Sequence, residues 1–159
     1  MQAYEFKSVP GYEHTLVWVD PTTPNLRNGQ GFVRYPESVV PGPGGTSLHF
    51  VTFPPSSVFA DPSFDGEAAR REALIRLRGL ADHFEKEDPA MHKTNTVDYA
   101  VVYDGEIWLE LDDAKTVHLK RGMVPSRYEI TASPNQLAPR EPHGGSLATS
   151  SDRTQHGRD

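Results

Sequence analysis

The chain has 159 residues, a formal net charge of -6 at pH 7 and no cysteine. This length is enough for one domain with a buried core, whereas the acidic balance and the scattered basic residues argue against a nucleic-acid-binding surface. Without cysteine, disulfide bonds and thiolate metal sites are excluded. No apolar run is long enough to span a membrane. Because the N-terminus lacks a signal-peptide core, we expect a cytoplasmic location.

Three short apolar runs predict strands in the first third of the chain. They are Thr15 to Val19, Gly31 to Tyr35 and Ser47 to Phe53, and clusters rich in proline and glycine separate them. His49 lies in the third run between apolar neighbours. A single histidine in such a strand is usually structural, so we interpret His49 as a core residue.

One helix is predicted, from Gly66 to Phe84. Asp65 can cap its first turn by accepting backbone N–H bonds. Apolar residues repeat at intervals of three and four along one face, and they are Ala73, Leu77, Leu80, Ala81 and Phe84. We expect this face to pack against the outside of a β-structure.

The clearest strand signals lie between Met91 and Gly122. Alternation along an extended strand puts His92, Thr94, Thr96 and Asp98 on one face. The opposite face should pack against another sheet or the helix, and it carries Val97, Tyr99, Val101 and Tyr103.

Two further strands are expected after this one. Asp104-Gly105 predicts a tight hairpin turn, and the alternation continues from Glu106 to Leu111 and again around Val117 and Leu119. The pattern is typical of an antiparallel meander.

This stretch resembles the first motif of the small single-domain cupins. That motif has a histidine, a second ligand two residues on, an acid four further and a glycine seven beyond, here His92, Thr94, Asp98 and Gly105. The variant HxTxTxDY followed by GEIWLELDD is similar to cupins of bacterial and fungal natural-product pathways. The resemblance covers about residues 47–122. After Gly122 the second cupin motif is missing, which a changed reading frame, a retained intron or a truncated gene model would produce.

The resemblance implies an all-β fold. We expect an incomplete cupin-like antiparallel β-barrel or jelly roll over residues 1–132, with its core motif at 91–122 and the helix, at about 66–84, outside. Residues 133–159 are rich in proline, serine, glycine and threonine, a composition that cannot bury enough apolar area to offset its ordering entropy. We therefore predict a disordered C-terminal tail, with His143 and His156 exposed to solvent.

The resemblance also implies a site. His92 and Asp98 are its catalytic residues and metal ligands, whereas Thr94, Thr96 and Trp108 would contact the substrate. A divalent metal (Fe, Mn, Ni or Zn) needs roughly three protein ligands, so these two would hold it only weakly. The alternative is a hydrogen-bonded polar cluster in which Asp98 fixes the imidazole.

Two function classes follow. One is a metal-dependent tailoring enzyme, an oxidoreductase or isomerase, that acts on a small aromatic or polyketide-like carbonyl compound in secondary metabolism. The other is a non-catalytic, small-molecule-binding or degenerate cupin. A third imidazole or carboxylate near His92 would distinguish them. Neither class implies a nucleic-acid or membrane partner. A homodimer is left open, because cupins of this size commonly pair through edge strands.

Overall fold

A computed structural model of the chain describes residues 2–21, 37–84, 92, 94, 96–110, 116–124, 136–138 and 145–152. Within these ranges the protein is mostly antiparallel β-structure with two short α-helices and one turn of 3-10 helix. The elements in chain order are β1 (Gln2–Glu5), β2 (Glu13–Asp20), β3 (Thr46–Phe53), α1 (Ser57–Ala60), α2 (Gly66–Arg76), the 3-10 helix (Ala81–His83), β4 (Val97–Asp104), β5 (Glu106–Glu110), β6 (Thr116–Lys120), β7 (Gln136–Ala138) and β8 (Gly145–Asp152).

The strands form two separate sheets. The larger has five strands in the order β1-β2-β3-β8-β4, and the smaller has three in the order β6-β5-β7. The all-β prediction is confirmed at this level, and strands occur near Thr15, Ser47, Glu106 and Thr116 as expected. The strand predicted from Gly31 lies outside the described residues. Strand pairing among the described residues does not close the two sheets into a barrel.

The Asp104-Gly105 turn does not close a hairpin. Gly105 has the expected positive φ of 70°, but β4 pairs with β8 whereas β5 pairs with β6 and β7. The turn therefore carries the chain from one sheet to the other. The hairpin prediction is wrong because a positive-φ turn allows a sharp reversal without deciding which strands pair across it.

Two parts of the C-terminal segment, residues 136–138 and 145–152, contribute to the sheets, so the disorder predicted for residues 133–159 is wrong for these two parts. Strand β7 pairs with β5, and β8 is hydrogen-bonded between β3 and β4. The composition limits the apolar area that this segment can bury, but β8 also gains backbone hydrogen bonds from neighbours on both sides.

The predicted helix is shorter than expected, because α2 ends at Arg76 and not at Phe84. Asp65 caps it as predicted, accepting a bond from the amide of Ala68 at 2.9 Å. Three residues after the helix end, Gly79 takes a φ of +77°, in a region that L-residues rarely adopt. The backbone amide of Val39 donates a hydrogen bond to the carbonyl of Arg78 at 2.8 Å.

Two apolar clusters stabilise this arrangement. One contains Val102, Ile107, Leu109 and Leu119, and it lies where the turn at Gly105 joins the two sheets. The other joins the helical region to the first strand and its following loop. Its buried members are Phe6, Val9, Leu77 and Ala81, and the partly buried ones include Ala73, Leu80 and Phe84. The five residues of the predicted apolar face therefore pack in one cluster, but of the five only Ala73 lies in α2 and the other four follow its end.

A single carboxylate fastens α2 to the N-terminal segment. Glu72 accepts hydrogen bonds from the Tyr4 hydroxyl at 2.6 Å, from the amides of Lys7 and Ser8 at 3.0 and 2.8 Å, and from the Ser8 hydroxyl. Desolvation opposes its ionisation, but the donated bonds outweigh desolvation and lower the pKa of Glu72 to about 2.

No helix in the described ranges is both long and apolar enough to cross a membrane.

Gly79→Ala should destabilise the protein by about 2 kcal/mol or more, because a Cβ there would clash with the Ser38 hydroxyl oxygen and the positive φ adds strain. The free energy of unfolding, measured by urea denaturation, checks this expectation. Gly42→Ala is the matched control, since a Cβ at Gly42 has nothing within 4 Å. Equal stability of the two variants would contradict the close approach of Ser38 to Gly79.

Candidate functional site

The inner face of the five-stranded sheet is apolar at one end and polar at the other. At one end, Val51 of β3 and Val102 of β4 are both register partners of Leu147 in β8, which lies between them. Val102 belongs to the apolar core. Four residues further along each strand from this apolar row, Ser151 of β8 is the register partner of Ser47 in β3 and of Asp98 in β4. Because side chains alternate between faces, Ser47 and Asp98 lie in one row on the inner face. The candidate site is at this polar end.

His92 and Asp98 each bury a polar atom that lacks a hydrogen-bond partner, Nδ1 and Oδ1 respectively. Burial lowers the pKa of His92, the Asp98 charge opposes this effect, and His83 adds to it. The two side chains therefore interact electrostatically, but Oδ1 of Asp98 does not accept a bond from Nδ1 of His92. A buried polar atom without a partner costs free energy, so both atoms are available to a ligand.

Thr94 and Thr96 contact each other at the same end. Their hydroxyl oxygens are 2.6 Å apart, so one hydroxyl donates to the other. His92 forms an isolated antiparallel bridge with Phe84, and the two rings lie 5.1 Å apart between centroids. The chain that leaves the 3-10 helix thus forms one wall beside the imidazole.

Trp108 is not brought together with these residues. Its neighbours Ile107 and Leu109 are buried in the core, so alternation along β5 turns Trp108 to the opposite face of the smaller sheet. There it stacks on His118 with ring centroids 4.1 Å apart and an interplanar angle of 7°. His118 Nε2 also lies 2.8 Å from Glu106 Oε2. The prediction that Trp108 contacts the substrate is therefore not supported by its position.

A second polar group on the inner face was missed by sequence reasoning. Nε2 of His14 lies 3.0 Å from Nδ1 of His49, and Nε2 of His49 lies 2.9 Å from Oγ of Ser47. All three side chains are buried. The interpretation of His49 as a core residue agrees with this arrangement. Alternation along β2 could have placed His14 on the same face as Leu16. It could not have identified the contact with His49, which lies 35 residues away in the chain.

The protonation of this His14–His49 pair follows from its burial. A neutral imidazole carries one N–H, so one of the two facing nitrogens, Nε2 of His14 or Nδ1 of His49, donates to the other. Burial lowers the pKa of His14 to about 4. Burial and the neighbouring His14 lower the pKa of His49 to about 3. Both imidazoles are therefore neutral at pH 7.

The described residues supply two candidate metal donors, His92 and Asp98. No group of three or more His, Asp or Glu side chains that could hold a metal occurs within the described part of the chain. His143 and His156, which we expected to be exposed to solvent, lie outside the described residues. The chain matched no family model, and it matched no curated protein significantly.

Stability should fall as the pH is lowered from about 6.5 towards 4. The unfolded histidines titrate near 6.5, well above the folded values of His14 and His49, so the unfolded chain binds more protons in this window. The expected loss between pH 7.5 and pH 5 is about 2 kcal/mol for each of the two histidines. Urea denaturation at both pH values measures it.

A His14→Gln/His49→Gln double variant should show a much weaker pH dependence than the parent. His118→Gln serves as the control, because this half-exposed side chain lies on the other sheet. Retention of the full pH dependence in the double variant would contradict the assignment to the buried pair.

Proposed function

We propose that this protein is a cupin-like enzyme that isomerises a small aromatic or polyketide-like carbonyl compound by proton transfer. The observation that carries the proposal is the pair of buried atoms without partners, Nδ1 of His92 and Oδ1 of Asp98. The cupin-like spacing of His92, Thr94, Asp98 and Gly105 supports it. So does the arrangement of the strands in two antiparallel sheets.

The unpartnered atoms favour a ligand because each costs stability in the empty protein. A hydrogen bond from a bound compound removes this cost. Enzymes commonly keep acid and base groups in partly desolvated surroundings that shift their pKa. The lowered pKa of His92 keeps the imidazole neutral at pH 7, which is the form that can accept a proton.

The chemistry needs only the residues at the polar end of the sheet. Neutral His92 removes a proton from the carbon next to the substrate carbonyl, and the electron pair of that C–H bond forms the enolate. Within the Thr94–Thr96 pair one hydroxyl donates to the other, and the accepting hydroxyl donates its own proton to the enolate oxygen. The imidazolium, stabilised by the Asp98 carboxylate, then returns the proton to a different atom of the enolate, and this gives the isomer.

A tightly bound metal does not fit the described residues. A mononuclear site takes roughly three or more protein ligands, and His92 and Asp98 are two. The hydroxyls of Thr94 and Thr96 are weak donors to a divalent ion and are already bonded to each other. The proton transfer uses the side chains of His92, Asp98 and the two threonines alone.

Proton exchange tests the proposal directly. The purified protein is incubated in D₂O with a panel of small aromatic ketones and β-dicarbonyl compounds, and NMR follows deuterium uptake at the carbon next to the carbonyl. His92→Gln should slow the exchange by about 10²-fold or more, and Asp98→Asn should slow it less. With the pKa of His92 lowered, activity should fall only below pH 6.5, the ordinary imidazole value.

His118→Gln is the control for this experiment, because His118 pairs with Glu106 away from the site. Exchange at the rate of the parent in both His92→Gln and Asp98→Asn would contradict the assigned roles. Binding of a compound without any exchange would instead support the non-catalytic, ligand-binding class.

Metal analysis after dialysis against a mild chelator gives an independent prediction. Two donors should retain a divalent ion only substoichiometrically, and His92→Ala should remove what remains. One tightly held equivalent of iron, manganese, nickel or zinc would show that a residue beyond the described ranges completes the site. That result would contradict the metal-free proton transfer.

A further inference from the structure

Four aromatic side chains are exposed together on the outer face of the five-stranded sheet. They are Trp18, Phe50, Tyr99 and Tyr103, with exposed fractions of 39%, 36%, 50% and 42%. Tyr99 and Tyr103 belong to the set expected to pack against another sheet or the helix. They lie on the face opposite Asp98 as expected, but the packing prediction is wrong for them because both are exposed. We refer to these four residues as the outer aromatic face.

Strand register explains why the four rings are neighbours. Leu48 is paired with Trp18 on one side and, through position 150 of β8, with Tyr99 on the other. The next outward position of β3 is Phe50, whose ring meets that of Tyr103 edge to face at 5.6 Å between centroids. The rings thus span the sheet from β2 to β4.

The helical region does not pack on this surface. Its apolar residues, including Leu77 and Ala81, are used in the cluster with Phe6 and Val9. Scattered apolar residues on a surface are ordinary, but a contiguous aromatic patch marks an interaction site. Tyrosine, tryptophan and phenylalanine are also the residues that protein–protein interfaces enrich.

The charges around the outer aromatic face restrict the kind of partner that can bind there. The two central outward rows, one through Phe50 and one through Leu48, have no charged residue at any described side-chain position. Acidic residues stand at the ends of the strands, with Glu13 and Asp104 in one terminal row and Asp20 in the other. This pattern disfavours nucleic acid and anionic lipid, and it fits an uncharged protein surface.

We infer that the outer aromatic face is the interface with a second copy of this chain. Four strands of eight residues and the four-residue β1, at about 4.8 Å between strands and about 3.3 Å per residue, give a face of roughly 570 Å². A stable interface buries about 800 Å² on each partner, so this face with its rim has the size that a dimer needs. The same face on the second copy supplies a matching uncharged aromatic surface.

The acidic strand ends also determine how the two copies pack. In an aligned packing, Glu13 and Asp104 of one copy would lie over acidic residues of the other, and like charges repel. Crossing the strands at about 90°, the other common geometry for packed sheets, keeps the aromatic rows in contact and moves these charges apart. The dimer therefore packs with crossed strands, face to face, and not through edge strands.

Sedimentation equilibrium on the full chain tests the interface. The parent protein should be a dimer at micromolar concentration. Trp18→Glu and Tyr99→Glu should each raise the dimer dissociation constant at least about 30-fold, because each removes an aromatic anchor and places a charge in the contact. Ile75→Glu is the matched control, since Ile75 is exposed on α2 outside this face, and it should leave the constant unchanged.

A second measurement does not depend on variants of the face. In a Trp108→Phe protein, Trp18 is the remaining tryptophan, since the chain has two. Its fluorescence should shift to longer wavelength on dilution, in step with dissociation. A monomeric parent at about 100 µM, near the weak limit of specific association, would overturn the inference. So would a dimer that survives both face substitutions, or tryptophan emission that stays constant while the dimer dissociates.

Discussion

The structure depends on the hydrogen bonding of β8 between β3 and β4. Without this strand, the backbone groups of two eight-residue strands would face each other across a gap with no partner. Its register also fixes the site, since it sets Ser47 and Asp98 in one row on the inner face. A slip of one residue would turn every side chain of a strand to the opposite face, so the polar end exists only in this register.

The polar and apolar ends of the sheet divide the tasks of stability and chemistry. Val102, Ile107 and Leu119 are fully buried or nearly so at the end near Gly105, where apolar burial stabilises the fold. At the other end, His92 and Asp98 retain buried atoms without partners, which lowers stability. The apolar end thus offsets the free energy that the candidate site costs, a division common in proteins that bind ligands.

Local sequence patterns could predict the strands and the faces but not their pairing. Alternation identified the inward position of Asp98 and the outward positions of Tyr99 and Tyr103, because side-chain direction is a property of one strand. The turn at Gly105 was misinterpreted because the choice between hairpin and crossing is made by distant strands. For the same reason the contact of His14 with His49 and the placement of β8 were not foreseen, since both depend on residues far apart in the chain.

The bulge in β2 has a consequence for how this chain tolerates insertions and deletions. Leu16 pairs with His49 and Trp18 with Leu48, so Val17 is an extra residue between two registers. Upstream of it, His14 faces the interior, and downstream Trp18 faces outward. Removing Val17 would leave Leu16 opposite His49 and Trp18 opposite Leu48 in a regular strand, so both faces would be kept. A single-codon deletion at Val17 would therefore preserve interior and exterior, whereas a deletion elsewhere in the strand would turn every side chain beyond it to the opposite face.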